Sequence, residues 1–401
     1  MSGGLILAIG TVTGLLAQRL KIPDVAVFLI VGMLIGPEAM GLVDIKADSA
    51  LNQIILLFGA SYILFDGGAS LRLSVLKHVW ITILVLATVG VVVTAAVTGI
   101  AAHFVLGSPW IVALLLGAAI ASTDPATLVP IFRQVKISDR VAQTVMSESA
   151  FNDATGAILT FGVLAVAMGT GEFSLASSLL DLLKQALVGL VAGLVLGYLA
   201  ALLIAHERWA FLLEYAPVVT LLAVIGAYFA ADGLEASGFM AVFVCGIVIG
   251  NKDAFGFKME GDEQQKLEQY VTTTAFIMRL FIFILLGVQV DFSLMNQYLA
   301  GGIAVIAIFM LVARPACVFL CALPDRRARW SLNEMLFMCW TRETGVIPAA
   351  LAGLLLGMNA PGARLIASVT FIAILMTILL QATTTRWLAS RLGLLEENQP
   401  R

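Results

Sequence analysis

Thr123-Asp-Pro-Ala-Thr-Leu-Val-Pro130 returns 218 residues later as Thr341-Arg-Glu-Thr-Gly-Val-Ile-Pro348, keeping the first threonine, the final proline and the two aliphatic residues before it. Both segments lie midway along apolar stretches. Polar residues and proline there would be costly if the backbone stayed a regular, lipid-facing helix. Each segment is therefore read as a break in a membrane-spanning helix. Asp124 suits an N-cap and Pro125 the first position of the half-helix that follows.

Two further pairs keep nearly the same offset. Phe28-Leu-Ile-Val-Gly-Met-Leu-Ile-Gly36 resembles Val242-Phe-Val-Cys-Gly-Ile-Val-Ile-Gly250 at 214, and Leu64-Phe-Asp-Gly67 resembles Ile284-Leu-Leu-Gly287 at 220. Three matches in one order point to a duplicated chain. The composition agrees with a membrane setting: of 401 residues, 60% are hydrophobic and only 12% charged, against about 25% charged in a soluble domain. The formal net charge of −3 offers no nucleic-acid surface. Soluble enzymes and DNA-binding proteins are excluded.

Spanning a bilayer takes about 20 apolar residues per helix, fewer where helices are short or broken. Thirteen spans are expected, at about 2–18, 22–36, 50–70, 79–106, 110–133, 139–168, 178–205, 216–231, 237–250, 269–290, 299–322, 331–357 and 364–390. Residues 1–177 then form a first six-helix repeat, 178–206 a linking helix (span 7), and 207–401 a second repeat. An odd linker makes the repeats inverted, a transporter signature, and sets the two breaks side by side near the midplane. The first apolar stretch lacks a basic n-region and a small-residue cleavage site, so it is read as a span rather than a removed signal. Of 23 basic residues, Lys46, Lys184 and Arg364 fall in one set of loops and Arg279, Arg314 and Arg342 within spans, which leaves 17 in the alternate loops and tail. That bias predicts an N-terminus outside and a C-terminus in the cytoplasm, in the cell's inner (plasma) membrane.

Cys245, Cys317, Cys321 and Cys339 sit in apolar runs without Cys-x-x-Cys spacing, and His78, His103 and His206 are scattered, so no zinc or disulfide framework is expected. The chemistry concentrates in Ser147-Glu-Ser-Ala-Phe-Asn-Asp-Ala-Thr-Gly156 of span 6. Ser149 and Asp153 share one helix face, with Glu148 and Asn152 on a stripe beside it. Asp66, before Gly67-Gly68 in span 3, adds a carboxylate at membrane depth. Intramembrane acids are functional candidates by default, and oxygen ligands suit hard cations such as Na⁺ or K⁺. A carboxylate in a poorly solvated cavity also takes up a proton more readily than one in water. Cation and proton would compete for it, which is enough to couple their movements in opposite directions.

The Thr123-Asp124-Pro125 break, the Glu148-x-x-x-Asn152-Asp153 helix and the Val346-Ile-Pro-Ala-Ala350 broken helix together resemble the cation:proton antiporter superfamily, in its sodium/proton exchanger branch with an Asn-Asp pair. The likeness covers essentially the whole chain. It implies an all-α polytopic membrane fold of thirteen transmembrane helices with six-helix inverted repeats and two crossed broken helices. It also implies a homodimer, with a moving core of spans 4–6 and 11–13 and an interface domain of spans 1–3 and 8–10. By resemblance, Asp153 binds the ion and the proton, Asn152 and Ser149 shape the site, Thr123 offers an oxygen, Asp124 balances the crossing, and Asp66 matches an acid often found before a glycine pair. The Asn-Asp pair implies electroneutral exchange. Relatives often carry arginine directly before the span-12 glycine, whereas here Thr344 precedes Gly345 and Arg342 precedes Glu343. Arg342, Arg279 and Arg314 all remain candidates for the partner of Glu148.

The expected function is Na⁺(Li⁺)/H⁺ antiport with no prosthetic cofactor, the proton gradient being the energy source. Its partners are the bilayer, a monovalent cation and a proton. K⁺/H⁺ antiport on the same scaffold, a sodium-coupled organic-solute symporter and an aspartyl intramembrane protease are the competing readings.

Overall fold

The computed structural model describes residues 2–20, 22–45, 49–124, 128–129, 132, 135, 137–169, 175–205, 211–259 and 261–395. Pro125, Pro130, Lys46 and His206, used in the sequence reading, and the basic loop and tail residues Lys21, Arg133, Lys136, Arg208 and Arg401, counted among its 17, lie outside the described residues. Helices, in chain order, are α1 Ser2–Leu20, α2 Asp24–Ile35, α3 Ala50–Ala69, α4 Leu73–Val85, α5 Val91–Leu106, α6 Trp110–Ala119, α7 Asp139–Ala167, α8 Leu175–Ala205 and α9 Ala216–Asp232. They continue as α10 Gly238–Gly250, α11 Gly261–Val288, α12 Phe292–Gln297, α13 Leu299–Ile308, α14 Arg314–Ala322, α15 Leu332–Trp340, α16 Val346–Gly357, α17 Ala363–Met376 and α18 Thr383–Arg391. Among the described residues eight stretches are long and apolar enough to cross a membrane, and α2, α6, α10 and α16 are shorter apolar helices.

Most boundaries fall where Pro, Gly or charge puts them, with two informative departures. α4 begins at Leu73, six residues ahead of the predicted span, because Lys77 and His78 ride on its exposed face rather than ending it. α11 begins at Gly261, taking the acidic Asp262 and Glu263 into its first turn, where carboxylates favour the positive end of the helix dipole. Three π turns, Leu86–Gly90, Phe309–Ala313 and Thr377–Ala382, join α4 to α5, α13 to α14 and α17 to α18. The sequence reading did not anticipate them. All four cysteines are free and buried.

Two groups of helices emerge from the packing. In the first, α10 lies against α3, α8 and α9, and α11 against α2 and α3. Glycines set the spacing. A Cβ on Gly68 would meet the Phe243 carbonyl at 2.3 Å, one on Gly246 the Phe65 carbonyl at 2.3 Å, and one on Gly193 the Ala241 carbonyl at 2.3 Å. Similarly a Cβ on Gly32 would meet the Ile284 carbonyl at 2.1 Å and one on Gly287 the Leu29 carbonyl at 2.2 Å. Lipid gives apolar helices little reason to associate, so close backbone approach at small residues supplies the packing energy. In the second group, α6 packs on α5 and α7, and α17 on α13 and α16. Here lie most of the buried polar side chains, from Thr94 and Ser122 through Asp153 to Thr377 and Gln381.

Candidate functional site

Both predicted breaks are present. α6 ends at Ala119, and the chain leaves helical geometry through Ser122, Thr123 and Asp124; α15 ends at Trp340, and Thr341 to Gly345 run non-helically into α16. The two segments cross in contact, the Asp124 N–H donating to the Glu343 carbonyl at 2.9 Å. Opened helix ends leave N–H and C=O groups unpaired, and those groups need partners in a water-poor interior. The side chains supply them crosswise. Asp124 Oδ2 accepts from the Val346 N–H at the start of α16 (2.9 Å), and the Arg342 guanidinium donates to the Ala121 carbonyl just past the end of α6. Each break therefore neutralises the half-helix end of the other, acid to the positive end and base to the negative. Gly345 is required by this approach: a Cβ there would stand 1.8 Å from Asp124 Oδ2. Arg342 also lies over the Phe309 ring at 4.5 Å.

α7 presents the Ser-Glu-Ser-Ala-Phe-Asn-Asp stretch to this crossing. Asn152 holds Thr123 at two points: its Oδ1 accepts the Thr123 N–H (3.1 Å) and its Nδ2 donates to Thr123 Oγ1 (2.8 Å). Thr123 Oγ1 donates in turn to Ser149 Oγ at 2.9 Å. Asp153, one residue on, is 2% exposed, and neither of its carboxylate oxygens has a hydrogen-bond partner among the described residues. Its polar neighbour is Ser122, whose side chain stands against Gly156 of the same helix and whose hydroxyl faces the carboxylate. A carboxylate in such surroundings is tolerated when it carries a proton or when a cation sits against it.

The structure chooses among the arginines. Glu148 pairs with Arg314 in a two-pronged arrangement, with Arg314 Nη2 2.9 Å from Oε2, both side chains at most 2% exposed. Arg314 Nε is satisfied by the Met338 carbonyl at 2.9 Å. Arg279 instead pairs with Asp24 at 2.9 Å, tying α11 to the start of α2. Thr123, Asp124, Asn152, Ser149 and Asp153 thus come together.

Asp66 is placed differently. Also 2% exposed, it lines a cavity of about 360 Å³ with Ser70, Lys252, Gln264, Glu268 and Thr272, where α3, the end of α10 and α11 meet. Sequence reasoning passed over the other polar walls of this cavity, because Lys252, Gln264 and Glu268 read as ordinary loop and helix-end polarity. It also gave no role to Glu343 and Gln381, fully buried residues whose side-chain polar atoms have no hydrogen-bond partner among the described residues. Their signal is burial, which the sequence does not carry.

The fold and sequence are shared with known proteins. A family model described as sodium/hydrogen exchanger, transmembrane, matches residues 4–391. Na(+)/H(+) antiporter 1 of Methanocaldococcus jannaschii is 32% identical over 428 aligned residues, covering 99% of this chain and 96% of the relative. The K(+)/H(+) antiporter NhaP of Alkalimonas amylolytica is 30% identical over 402, covering 96% of this chain and 66% of that longer protein. Among solved structures, a map of the sodium proton antiporter MjNhaP1 from Methanocaldococcus jannaschii shares the fold with a TM-score of 0.77 at 30% identity, covering 100% of this chain and 98% of that one. The chain belongs to the transmembrane sodium/hydrogen exchanger family.

Proposed function

We propose that this protein is a secondary active antiporter that exchanges Na⁺ or Li⁺ for H⁺ at Asp153. The observation that carries the reading is a buried carboxylate, neither of whose oxygens has a hydrogen-bond partner among the described residues, one helical turn from Ser149, which in turn accepts from Thr123. Proton and cation are alternative occupants of one acid, so whichever ion gradient is steeper drives the other ion. Asn152 adds no charge to the site. One carboxylate then carries either one proton or one monovalent cation, and the exchange moves no net charge. Glu148 and Arg314 cancel within the same interior, and Asp124 and Arg342 are each matched to a helix end. Asp66, in the cavity beside Lys252, serves the path to Asp153 or contributes an oxygen to the ion.

The moving unit in this reading is the core of spans 4–6 and 11–13, turning against an interface domain of spans 1–3 and 8–10. Thirteen spans in two inverted repeats fit the glycine contacts, since α2 on α11 through Gly32 and Gly287 has a counterpart in α10 on α3 through Gly246 and Gly68. Those glycines stand 214 and 219 residues apart, close to the offsets of the sequence matches. Asp124 and Arg342, 218 apart, exchange caps in the same crosswise manner. We place the protein as a homodimer in the plasma membrane, N-terminus outside and C-terminus cytoplasmic, in keeping with the 17-to-3 loop bias. K⁺/H⁺ exchange is the second reading, favoured by the similarity to a K(+)/H(+) antiporter.

The test is collapse of a preformed pH gradient in proteoliposomes on addition of Na⁺, Li⁺ or K⁺, with the membrane potential clamped by an ionophore. Collapse that depends on Na⁺ or Li⁺ and vanishes in Asp153→Asn is expected. Collapse with K⁺ alone selects the second reading, and collapse that survives Asp153→Asn moves the site elsewhere.

A further inference from the structure

A chain of polar groups runs along one wall of the cavity that holds Asp66. Lys252 Nζ donates to Gln264 Oε1, and Gln264 Nε2 donates to Glu268 Oε1, one helical turn along α11. Lys252 is the second residue past α10 and only 4% exposed, unusual for a lysine. Its position is fixed from two sides. Gly68, Gly246 and Gly250 bring the α3 and α10 backbones into contact, a Cβ on Gly250 meeting the Ala69 carbonyl at 2.1 Å. Next to it, Asn251 Nδ2 donates to the Leu71 carbonyl (2.7 Å) and Asn251 Oδ1 accepts from the Leu73 N–H (3.2 Å), which locks the turn to the linker between α3 and α4.

We propose that this cavity is a cation vestibule and that Lys252 is its tethered competitor, an ammonium occupying the ground a monovalent cation must cross to reach Asp66. The cavity's acids, Asp66 and Glu268, suit a positive charge, and a strongly hydrated point charge on a long flexible stem supplies one from the protein itself. Among the described residues its hydrogen-bond partner is a neutral amide rather than a carboxylate, so releasing it breaks no close ion pair there of the kind that holds Arg314. Swinging the ammonium outward opens the vestibule, and the incoming ion replaces its charge. Lys252 therefore acts on cation affinity without touching Asp153, as a positioning and selectivity residue at the mouth of the path. By the loop-charge bias the mouth faces the cytoplasm, where Lys258 and Lys266 also lie. The inference rests on the proposed exchange activity.

The test is the apparent KM for Na⁺ in proteoliposomes for wild type, Lys252→Gln, Lys252→Arg and Glu268→Gln, alongside the shift of thermal unfolding midpoint with added NaCl in detergent. Lys252→Gln is expected to lower KM about three- to tenfold, the range that removing one partly screened like charge gives, with kcat within about twofold. Its salt-dependent stabilisation should begin at correspondingly lower Na⁺. Lys252→Arg should keep the wild-type KM, and Glu268→Gln should raise it. An unchanged KM in Lys252→Gln overturns the proposal, and so does a fall in kcat and unfolding midpoint with KM unmoved, which marks a merely structural tie. Absence of exchange in the wild type instead overturns the antiport reading, and the NaCl-dependent midpoint then still decides whether Lys252 competes with Na⁺.

Discussion

The helices around α3 and α10 and those around the two breaks solve one problem in opposite ways. In the first group the backbone stays regular and glycine removes side chains until carbonyls touch Cα atoms, as at Gly68 against Phe243 and Gly246 against Phe65. In the second the backbone opens, and buried side chains take over the hydrogen bonds that regular helix would have made, as Asp124 does for Val346 and Arg342 for Ala121. The difference teaches where function can sit. A glycine seam itself offers an ion no side-chain oxygen, so the acids of that group gather at its end, in the cavity of Asp66 and Glu268, whereas the opened crossing assembles oxygens and charges where the two breaks meet. Asp153 and Glu343 are the acids there whose carboxylate oxygens have no hydrogen-bond partner among the described residues.

The comparison breaks hardest at the Glu148–Arg314 pair. Arg314→Ala leaves a buried carboxylate without its counter-charge and is expected to cost about 3–5 kcal/mol, read as a large drop in the thermal unfolding midpoint of the detergent-solubilised protein. Arg314→Met combined with Glu148→Leu removes both charges and should recover most of that loss. If the single variant were as stable as the double, the pair would not be a compensated interior charge, and the contrast between satisfied and unsatisfied groups would lose its footing.

A smaller effect sharpens the contrast from the glycine side. Gly246→Ala places a methyl where the Phe65 carbonyl stands 2.3 Å away, so the α3–α10 seam must part. Overpacking of this kind costs about 1–3 kcal/mol. The variant should unfold at lower temperature while the protein that remains folded exchanges with unchanged apparent KM. A changed KM at unchanged stability would assign the seam a part in ion handling.

Legibility in the sequence followed the same division. The breaks could be read because proline and charge are conspicuous inside apolar runs, as in Thr123-Asp-Pro and Thr341-Arg-Glu. Asn152, Asp153 and Ser149 could be placed near Thr123 because helix periodicity and a crossing near the midplane fix them together. Which arginine meets Glu148 could not be read, since three were available and the answer depends on how α14 leaves the π turn at Phe309–Ala313. The cavity wall of Lys252, Gln264 and Glu268 was equally hidden. Those residues are polar at the edge of the bilayer, where polarity is ordinary, and only the burial of Lys252 and their mutual contacts set them apart.

The smallest effect lies outside the membrane, where the loop after α14 is held onto α4. Asp325 Oδ2 accepts from the Thr82 hydroxyl at 2.6 Å, Oδ1 accepts from the Arg327 and Ala328 N–H groups at 3.1 Å each, and Trp330 Nε1 donates to Thr82 at 2.8 Å. Burial works against the charged carboxylate, but these donors outweigh it and hold Asp325 below its ordinary carboxylate range. A carboxyl depressed in the folded state stabilises fold above its unfolded value, about pH 3.9, and loses that contribution as pH falls through the folded value. Asp325→Asn keeps an acceptor oxygen but not the charge, so a cost of about 1 kcal/mol at neutral pH is expected. Unfolding midpoints measured across the acid range should then converge between variant and wild type as pH drops through that window. A gap that stays constant with pH would mean the loop is held by Trp330 and Thr82 rather than by the charge on Asp325.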